Sequence, residues 1–139
     1  NIGLISSLST YAKINEHGAD IATSGLIDFG NSKRATFDIS FECTRRSEFE
    51  AFGALGRVKC PTVWQPEDKQ AKIIINTESS GLTEEVVPAA NHFVLEINHF
   101  NKVISSDIVP KLSSEDAFWN AKILESIQQS IKEDSWVNL

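Results

Sequence analysis

Residues 34–43 read Arg-Ala-Thr-Phe-Asp-Ile-Ser-Phe-Glu-Cys, a stretch in which polar and apolar side chains alternate without a break. The apolar or small side chains are Ala35, Phe37, Ile39, Phe41 and Cys43, and the polar ones are Arg34, Thr36, Asp38, Ser40 and Glu42. Because successive side chains of a strand point to opposite faces of a sheet, this period of two predicts a β-strand. It also predicts one buried face and one polar face, which is typical of antiparallel sheets.

Strand-like segments lie on both sides of this stretch. The further predicted strands are, in chain order, residues 4–14, 21–29, 47–52, 57–60, 71–77 and a short edge strand at 85–87. Turn chemistry separates them, most clearly at Gly30-Asn31-Ser32 and at Gly53-Ala54-Leu55-Gly56. The first two thirds of the chain are therefore predicted to form a sheet.

The period then changes from that of a strand to that of a helix. Phe93, Ile97, Phe100 and Ile104 are spaced by four, three and four residues, which indicates an amphipathic helix. Asn91 is its expected N-cap, because an Asn side chain can accept a hydrogen bond from the first turn.

A second helix is predicted near the C-terminus. Ser113 stands three residues before Asp116, the spacing of a capping box. An apolar stripe follows at Ala117, Ala121, Leu124, Ile127 and Ile131. Residues 136–139 are predicted to add a last short strand.

Strands followed by helices, rather than alternating with them, predict the α+β class. We expect a mostly antiparallel, open β-sheet of about six strands with two long helices packed on one face. The other face, which we call the open sheet face, carries Arg34, Thr36, Asp38 and Ser40. This face is polar enough for water and broad enough to meet another sheet or another domain.

Composition excludes several classes of protein. The length of 139 residues fits one domain with a proper core, and a net charge of -6 argues against nucleic-acid binding, which needs a concentrated basic surface. No apolar run approaches the roughly 18 residues that cross a bilayer, and no signal peptide is recognisable, so we expect a cytoplasmic protein. Cys43 and Cys60 have no metal-site spacing and are interpreted as two buried thiols, although a disulfide between them stays possible.

The usual catalytic and cofactor motifs are missing from the sequence. It contains no Gly-x-Gly-x-x-Gly, no P-loop and no Gly-x-Ser-x-Gly elbow. His92 and Glu96 share a helix face at the spacing of metal ligands, but a third ligand is missing, so we interpret them as a solvated face and expect no metal. His17 is expected to be exposed in a turn.

Trp64 is the best candidate for a binding residue. It lies in Pro61-Thr62-Val63-Trp64-Gln65-Pro66, whose prolines keep it out of a central strand. An aromatic side chain on a loop at the edge of a sheet can line a ligand pocket, or it can cover the hydrophobic core. Both interpretations of Trp64 stay open.

The order and spacing of these segments resemble the C-terminal domain of the glucose–fructose oxidoreductase / inositol dehydrogenase (Gfo/Idh/MocA) family. The branch that resembles trans-dihydrodiol dehydrogenase fits best. The segments that carry the resemblance are residues 25–31, 35–41, 52–58, 64–66, 93–104 and 115–139.

The resemblance implies a glyceraldehyde-3-phosphate dehydrogenase/dihydrodipicolinate reductase C-terminal-domain-like fold within a two-domain oxidoreductase. In the family an N-terminal Rossmann domain binds NAD or NADP, and the catalytic residues lie in Glu-Lys-Pro and Asp-x-x-x-His motifs, all of which are absent here. No catalytic residue is therefore carried over, and residues 1–139 alone are not expected to turn over substrate. The implied substrate-binding residues are Trp64 and, more weakly, Asn91 and His92.

Two functions from different classes follow. The first is a domain that shapes the substrate pocket and forms a homo-oligomer, through the open sheet face, in an NAD(P)-dependent oxidoreductase acting on a sugar, polyol or related hydroxy compound. The second is a stand-alone, non-catalytic α+β binding or dimerisation module. A chain that starts at Asn1, within a predicted strand and without any methionine, leads us to expect the first.

Overall fold

The computed structural model describes residues 5–63, 69–106 and 108–139. In chain order the elements are β1 (Ser7–Ile14), β2 (Asp20–Asp28), β3 (Arg34–Ser40), β4 (Phe49–Gly53), β5 (Gly56–Cys60), β6 (Ala71–Thr77), β7 (Gly81–Val87), α1 (His92–Ser106), α2 (Ser114–Glu133) and β8 (Val137–Asn138). The chain divides into two compact units. One consists of Asn1–Cys43 and Lys111–Leu139, and the other consists of Thr44–Pro110.

The first unit contains an antiparallel sheet with the strand order β3-β2-β1-β8. Its β2–β3 hairpin turns through Gly30, Asn31 and Ser32, all three with positive φ. Glycine and asparagine adopt this left-handed conformation most readily, which is why the turn forms here. The backbone N–H of Phe29 and the carbonyl of Lys33 close the turn at 2.9 Å. The turn fixes the register and thereby decides which side chains share a face.

Helix α2 packs on β1 and β8 in the first unit. It begins with the expected capping box, in which the side chains of Ser113 and Asp116 each accept a hydrogen bond from the other residue's backbone N–H. Residues 136–139 contribute β8, in which Val137 pairs with Leu8 of β1. The second helix and the last strand are both confirmed as predicted.

A polar contact fastens the C-terminal end of α2 to β1. The buried Ser130 hydroxyl oxygen accepts a hydrogen bond from the backbone N–H of Thr10 at 2.9 Å and donates to the carbonyl of Ser135 at 2.7 Å. The Thr10 hydroxyl donates to the carbonyl of Ile127 at 3.1 Å. Next to this contact, Leu8 is fully buried. Strand and helix thus satisfy one another's polar groups where water is excluded.

The second unit contains an antiparallel sheet with the order β4-β5-β6-β7. On one face, ion pairs join neighbouring strands or strand ends: Lys59 with Glu48 at 2.9 Å, Lys72 with Glu84 at 2.9 Å, and Arg57 with Glu50 at 3.5 Å. Apolar side chains, including those of Val58 and Ile75, which pair across β5 and β6, lie on the other face. Helix α1 follows this sheet in the chain.

The α+β class, the antiparallel strands and the two long helices are confirmed. In the described part of the chain, eight strands form two four-stranded sheets, where one sheet of about six strands was expected. The alternation of polar and apolar side chains ends in the segment between β3 and β4, residues 41–48. This segment carries the charged residues Glu42, Arg45, Arg46 and Glu48. The edge strand predicted at residues 85–87 is the end of a seven-residue strand, β7.

Two expectations about burial are wrong. On the face predicted to be buried, Ala35 and Phe37 are half-buried, but Ile39, Phe41 and Cys43 are exposed. The reason is that α2 covers β1 and β8, whereas β3 is the opposite edge strand and ends at Ser40. The cysteines are not both buried thiols either: they are free, Cys43 is exposed and Cys60 is half-buried.

Candidate functional site

The start of α1 contains two of the three predicted substrate-binding residues. Asn91 caps the helix as expected: its side-chain oxygen accepts from the backbone N–H of Val94 at 3.2 Å, and its carbonyl accepts from that of Leu95 at 3.1 Å. His92 is exposed, and its ring centroid lies 4.1 Å from that of Phe93. The first turn of α1 has no acidic residue, so its partial positive charge is not offset there.

This arrangement leaves polar groups at the helix start available for binding. The Asn91 oxygen is used by the cap, whereas the His92 imidazole is exposed and can donate to or accept from a hydroxyl group. His92 can therefore contribute a hydrogen bond to a hydroxyl group, while Asn91 holds the start of the helix. No residue there activates a nucleophile by its geometry.

Trp64, the third predicted residue, lies outside the described residues. The loop that leads to it is attached to the chain before β4, because the backbone N–H of Val63 donates to the carbonyl of Ser47 at 2.8 Å. The assignment of Trp64 to a pocket or to the core stays a prediction.

The open sheet face of the first unit exposes all four predicted interface residues, Arg34, Thr36, Asp38 and Ser40. The register adds neighbours that the sequence analysis missed. Tyr11 pairs with Ser24, which pairs with Asp38, while Ser9 pairs with Leu26, which pairs with Thr36. Counting back from the Gly30–Ser32 turn would have placed Ser24 opposite Asp38, so the signal was present in the hairpin.

Hydroxyl groups and carboxylates surround a depression of about 490 Å³ in this unit. Its lining combines residues of the open sheet face with residues of the opposite face and with the residue that ends α2: Ser9, Tyr11, Ser24, Thr36 and Asp38, then Thr10, Gly25 and Phe37, then Asp134. At the margin, Arg34 lies 3.4 Å from the Asp28 carboxylate, and Lys13 lies 2.8 Å from the Glu42 carboxylate. Ion pairs thus lie at the margin of the face, while its middle carries hydroxyl groups together with the Asp38 carboxylate.

A second depression, of about 340 Å³, lies at the β4–β5 turn of the second unit. Phe52, Arg57, Asn76 and Glu78 line it, together with the turn glycines. Gly56 is required there, because a Cβ atom would lie 2.4 Å from the carbonyl oxygen of Asn76 and the backbone has a φ of 151°. The glycine turn therefore has a structural explanation in strand packing.

Among the described residues, two carboxyl groups have lowered pKa values, and both have structural partners. A hydrogen bond from the backbone N–H of Ser113, with a second from its hydroxyl, lowers the pKa of Asp116. A hydrogen bond from Lys59 and the charge of the same side chain lower the pKa of Glu48. These shifts reflect a helix cap and a cross-strand ion pair, not an acid–base pair of the kind that catalysis uses.

The part of the chain that the structure describes contains neither a cluster of metal ligands nor a membrane-spanning helix. Across 5–63, 69–106 and 108–139, no three His, Cys, Asp or Glu side chains come together as metal ligands. Neither helix in this part of the chain is long and apolar enough to cross a membrane. His17 is exposed in its turn as expected, with Nε2 3.4 Å from the Glu16 carboxylate.

The fold matches that of solved oxidoreductases. An aldose–aldose oxidoreductase from Caulobacter crescentus, complexed with glycerol, matches 97% of this chain at a TM-score of 0.78 and 12% identity. KijD10, a 3-ketoreductase from Actinomadura kijaniata in complex with TDP-benzene and NADP, matches 92% of this chain at a TM-score of 0.80 and 18% identity. A protein assigned as an NADPH-dependent oxidoreductase, from Desulfitobacterium hafniense, matches 98% of this chain at a TM-score of 0.79 and 16% identity.

The chain spans 41%, 41% and 42% of the length of these three proteins, respectively. No protein-family model and no curated protein matches the sequence. The resemblance to the C-terminal domain of Gfo/Idh/MocA-type oxidoreductases, predicted from the order of segments, is confirmed for the fold.

Proposed function

We propose that this chain is the substrate-pocket and oligomerisation domain of an NAD(P)-dependent oxidoreductase that acts on a sugar, polyol or related hydroxy compound. The observation that carries the proposal is the match of 92–98% of the chain to about two fifths of three oxidoreductases. NADP is bound in the KijD10 structure, and glycerol, a polyol, is bound in the Caulobacter structure. The nucleotide would bind to a Rossmann domain outside residues 1–139, and the enzyme would act in the cytoplasm.

In this proposal the chain binds and orients the substrate, while the hydride transfer takes place on groups contributed by the other domain. His92 offers an exposed imidazole for a substrate hydroxyl, and Asn91 holds the start of α1 in place through its cap. Trp64 would supply an apolar wall, as aromatic side chains commonly do in ligand pockets. Each role is one of binding, so substitutions should change KM more than kcat.

The test uses the complete enzyme with NAD or NADP and a panel of aldoses and polyols. Trp64→Ala and His92→Ala should each raise KM by roughly tenfold, with melting temperatures close to that of the wild type. Trp136→Ala and His17→Ala are matched controls, because Trp136 follows α2 and His17 lies in an exposed turn. Absence of any nucleotide-dependent turnover would overturn the oxidoreductase assignment. Unchanged KM in Trp64→Ala, with a clearly lower melting temperature, would assign Trp64 to the core.

The second part of the proposal is that the open sheet face forms a homo-oligomer. Its support is a face whose four predicted residues are all exposed and whose neighbouring strands place Ser9, Tyr11 and Ser24 beside them. Thr36→Arg should shift the mass measured by light scattering toward the monomer, because it places a charge in the middle of that face. Ile39→Arg, on the opposite face of the same strand, is the control and should leave the mass unchanged. A wild-type monomer at high concentration would refute this interface.

A further inference from the structure

Three side chains of the second sheet form a row beside the β4–β5 turn, on the face that carries the ion pairs. Phe52 of β4 pairs with Arg57 of β5, and Arg57 pairs with Asn76 of β6. Because directly paired residues of neighbouring strands project to the same face, an aromatic ring, a guanidinium group and a carboxamide stand side by side. This row lines the depression of about 340 Å³. The other lining residues belong to or adjoin the two turns at this end of the sheet: Gly53, Ala54, Gly56, Thr77 and Glu78.

The ring of Phe52 is presented to solvent and not to a core. Phe52 is 85% exposed, although phenylalanine is among the residue types that are most often buried. The face of an aromatic ring carries partial negative charge and attracts the weakly positive C–H groups of a ligand that stacks on it. A single exposed ring is common on protein surfaces, so the polar groups beside Phe52 decide whether it belongs to a site.

Those polar groups have hydrogen-bonding capacity to spare. One guanidinium nitrogen of Arg57 lies 3.5 Å from the Glu50 carboxylate, and the side chain is still 56% exposed, so further N–H donors remain for a ligand. Asn76 is half-buried, and its carboxamide has no hydrogen-bond partner among the residues that the structure describes. Glu78 is exposed in the β6–β7 turn and adds acceptor oxygens. The row thus combines one apolar platform with planar donors and acceptors.

The charges around the depression select against an anion. In the described lining Arg57 is the only positively charged residue, whereas Glu78 in the lining and Glu50 next to Arg57 are both negative. A phosphate or carboxylate ligand would therefore be repelled by more charge than attracts it. A neutral ligand avoids this cost. The donors of Arg57 and Asn76 and the acceptors of Asn76 and Glu78 together match hydroxyl groups, each of which both donates and accepts.

We infer that this depression is a binding site for one ring of a neutral saccharide. The C–H face of the ring stacks on Phe52, and its hydroxyl groups form hydrogen bonds with Arg57 and Asn76. The volume of about 340 Å³ is at the lower end of the range for ligand pockets, which suits a ligand of this size. Because the ligand is small, the dissociation constant is expected in the millimolar range. The site shares no residue with the proposed substrate pocket, so the inference does not rest on the proposed function.

The first test is an NMR titration of the complete, isotope-labelled protein with methyl β-D-glucopyranoside and methyl β-D-galactopyranoside. The amide signals of Gly53, Gly56 and Asn76 should shift saturably with at least one glycoside, and inorganic phosphate and adenosine should leave them in place. The shifts should persist in His92→Ala, which separates this site from the proposed substrate pocket. The inference would be overturned if neither glycoside moves these signals, if phosphate or adenosine moves them more strongly, or if the response disappears in His92→Ala.

The second test is a set of substitutions within the row, measured by the same titration. Phe52→Ala should weaken binding at least tenfold, because it removes the stacking platform. Phe49→Ala is the matched control, since Phe49 is 56% exposed on the opposite face of the same strand. Arg57→Lys keeps the charge but loses the planar fork of donors, so it should also weaken binding several-fold. Unchanged binding in Phe52→Ala or Arg57→Lys, or equal weakening by the two phenylalanine variants, would contradict the inference. Melting curves check that every variant is folded.

Discussion

The two units differ in how much of their apolar surface is covered. In the first unit, α2 packs on the sheet, and Leu8, Thr10 and Ser130 are buried between them. All buried residues of the described chain belong to this unit. In the second unit, every residue of β4 and β7 is exposed, and so is the apolar stripe of α1.

This difference shows that an amphipathic pattern predicts a covered face but not what covers it. Both helices have an apolar stripe of comparable length, and sequence reasoning treats them alike. Only α2 is held against strands of its own chain among the described residues, because small serines let it approach β1 and hydrogen-bond to it. The first unit therefore contains its own core, whereas we expect the second unit to gain stability from contacts with other surfaces.

The largest expected effect comes from removing the centre of the first core. Leu8→Ala should lower the free energy of unfolding by about 2–5 kcal/mol, because Leu8 has no exposed surface and its removal leaves a cavity. The matched change in the second unit is Leu82→Ala, at an exposed position of β7, and it should cost less than about 0.5 kcal/mol. Urea unfolding of both variants measures the two values. Equal losses would show that the two units are covered to the same degree.

Glycine substitutions should distinguish the two sheets next. In the first sheet, an added Cβ at Gly25 would lie 2.6 Å from the side chains of Phe37 and Thr10. Gly25→Ala should therefore destabilise by about 1–3 kcal/mol through overpacking. Gly53→Ala is the control in the second sheet, because nothing lies within 4 Å of the added atom. Thermal unfolding compares the two, and a stable Gly25→Ala variant would mean that the Phe37 ring moves aside freely.

A smaller effect is expected from the polar contact between α2 and β1. Ser130→Ala removes the acceptor of the Thr10 N–H and the donor to the Ser135 carbonyl, which should cost about 1–2 kcal/mol. Ser126→Ala is the control, because its hydroxyl donates to the carbonyl of Lys122 within the same helix. Hydrogen exchange of the Thr10 amide should accelerate in the first variant and stay unchanged in the second. Unchanged exchange in both would show that the contact does not fasten α2.

Much of this fold was readable in the sequence, because local chemistry determined it. The strand at Ala71–Thr77 matches its predicted bounds, and the Ser113–Asp116 capping box forms as its spacing required. The glycine and asparagine of the β2–β3 turn fixed the register of that hairpin.

What could not be read were contacts between distant segments. The exposure of Ile39 and Phe41 depends on which strands α2 covers, and the alternation of β3 contains no such information. The Ser130–Thr10 contact joins residues 120 positions apart, and a lone serine in an amphipathic helix gives no sign of it. At the site, the resemblance implied a binding role for Asn91 and His92, whereas the residue type of Asn91 alone predicted its cap, which is confirmed. Trp64 lies outside the described residues.

The smallest expected effects are electrostatic, with one carboxylate in each unit. Asp116 and Glu48 both have pKa values below their ordinary ones, so each stabilises the folded state at pH values above its unfolded pKa of about 4. This contribution is lost as the pH falls through the lower folded pKa. Asp116→Asn or Glu48→Gln should therefore remove it from the acidic side of the curve of unfolding free energy against pH.

The causes of the two lowered pKa values differ, however. Hydrogen bonds from Ser113 hold Asp116 at 2.8 Å within a helix cap, whereas Glu48 faces a partly exposed Lys59 across two strands. Salt screens the second kind of contact more than the first. In an NMR titration, added salt should therefore raise the pKa of Glu48 toward its ordinary value and move that of Asp116 less, whereas an equal response would mean that charge, not the cap geometry, sets both.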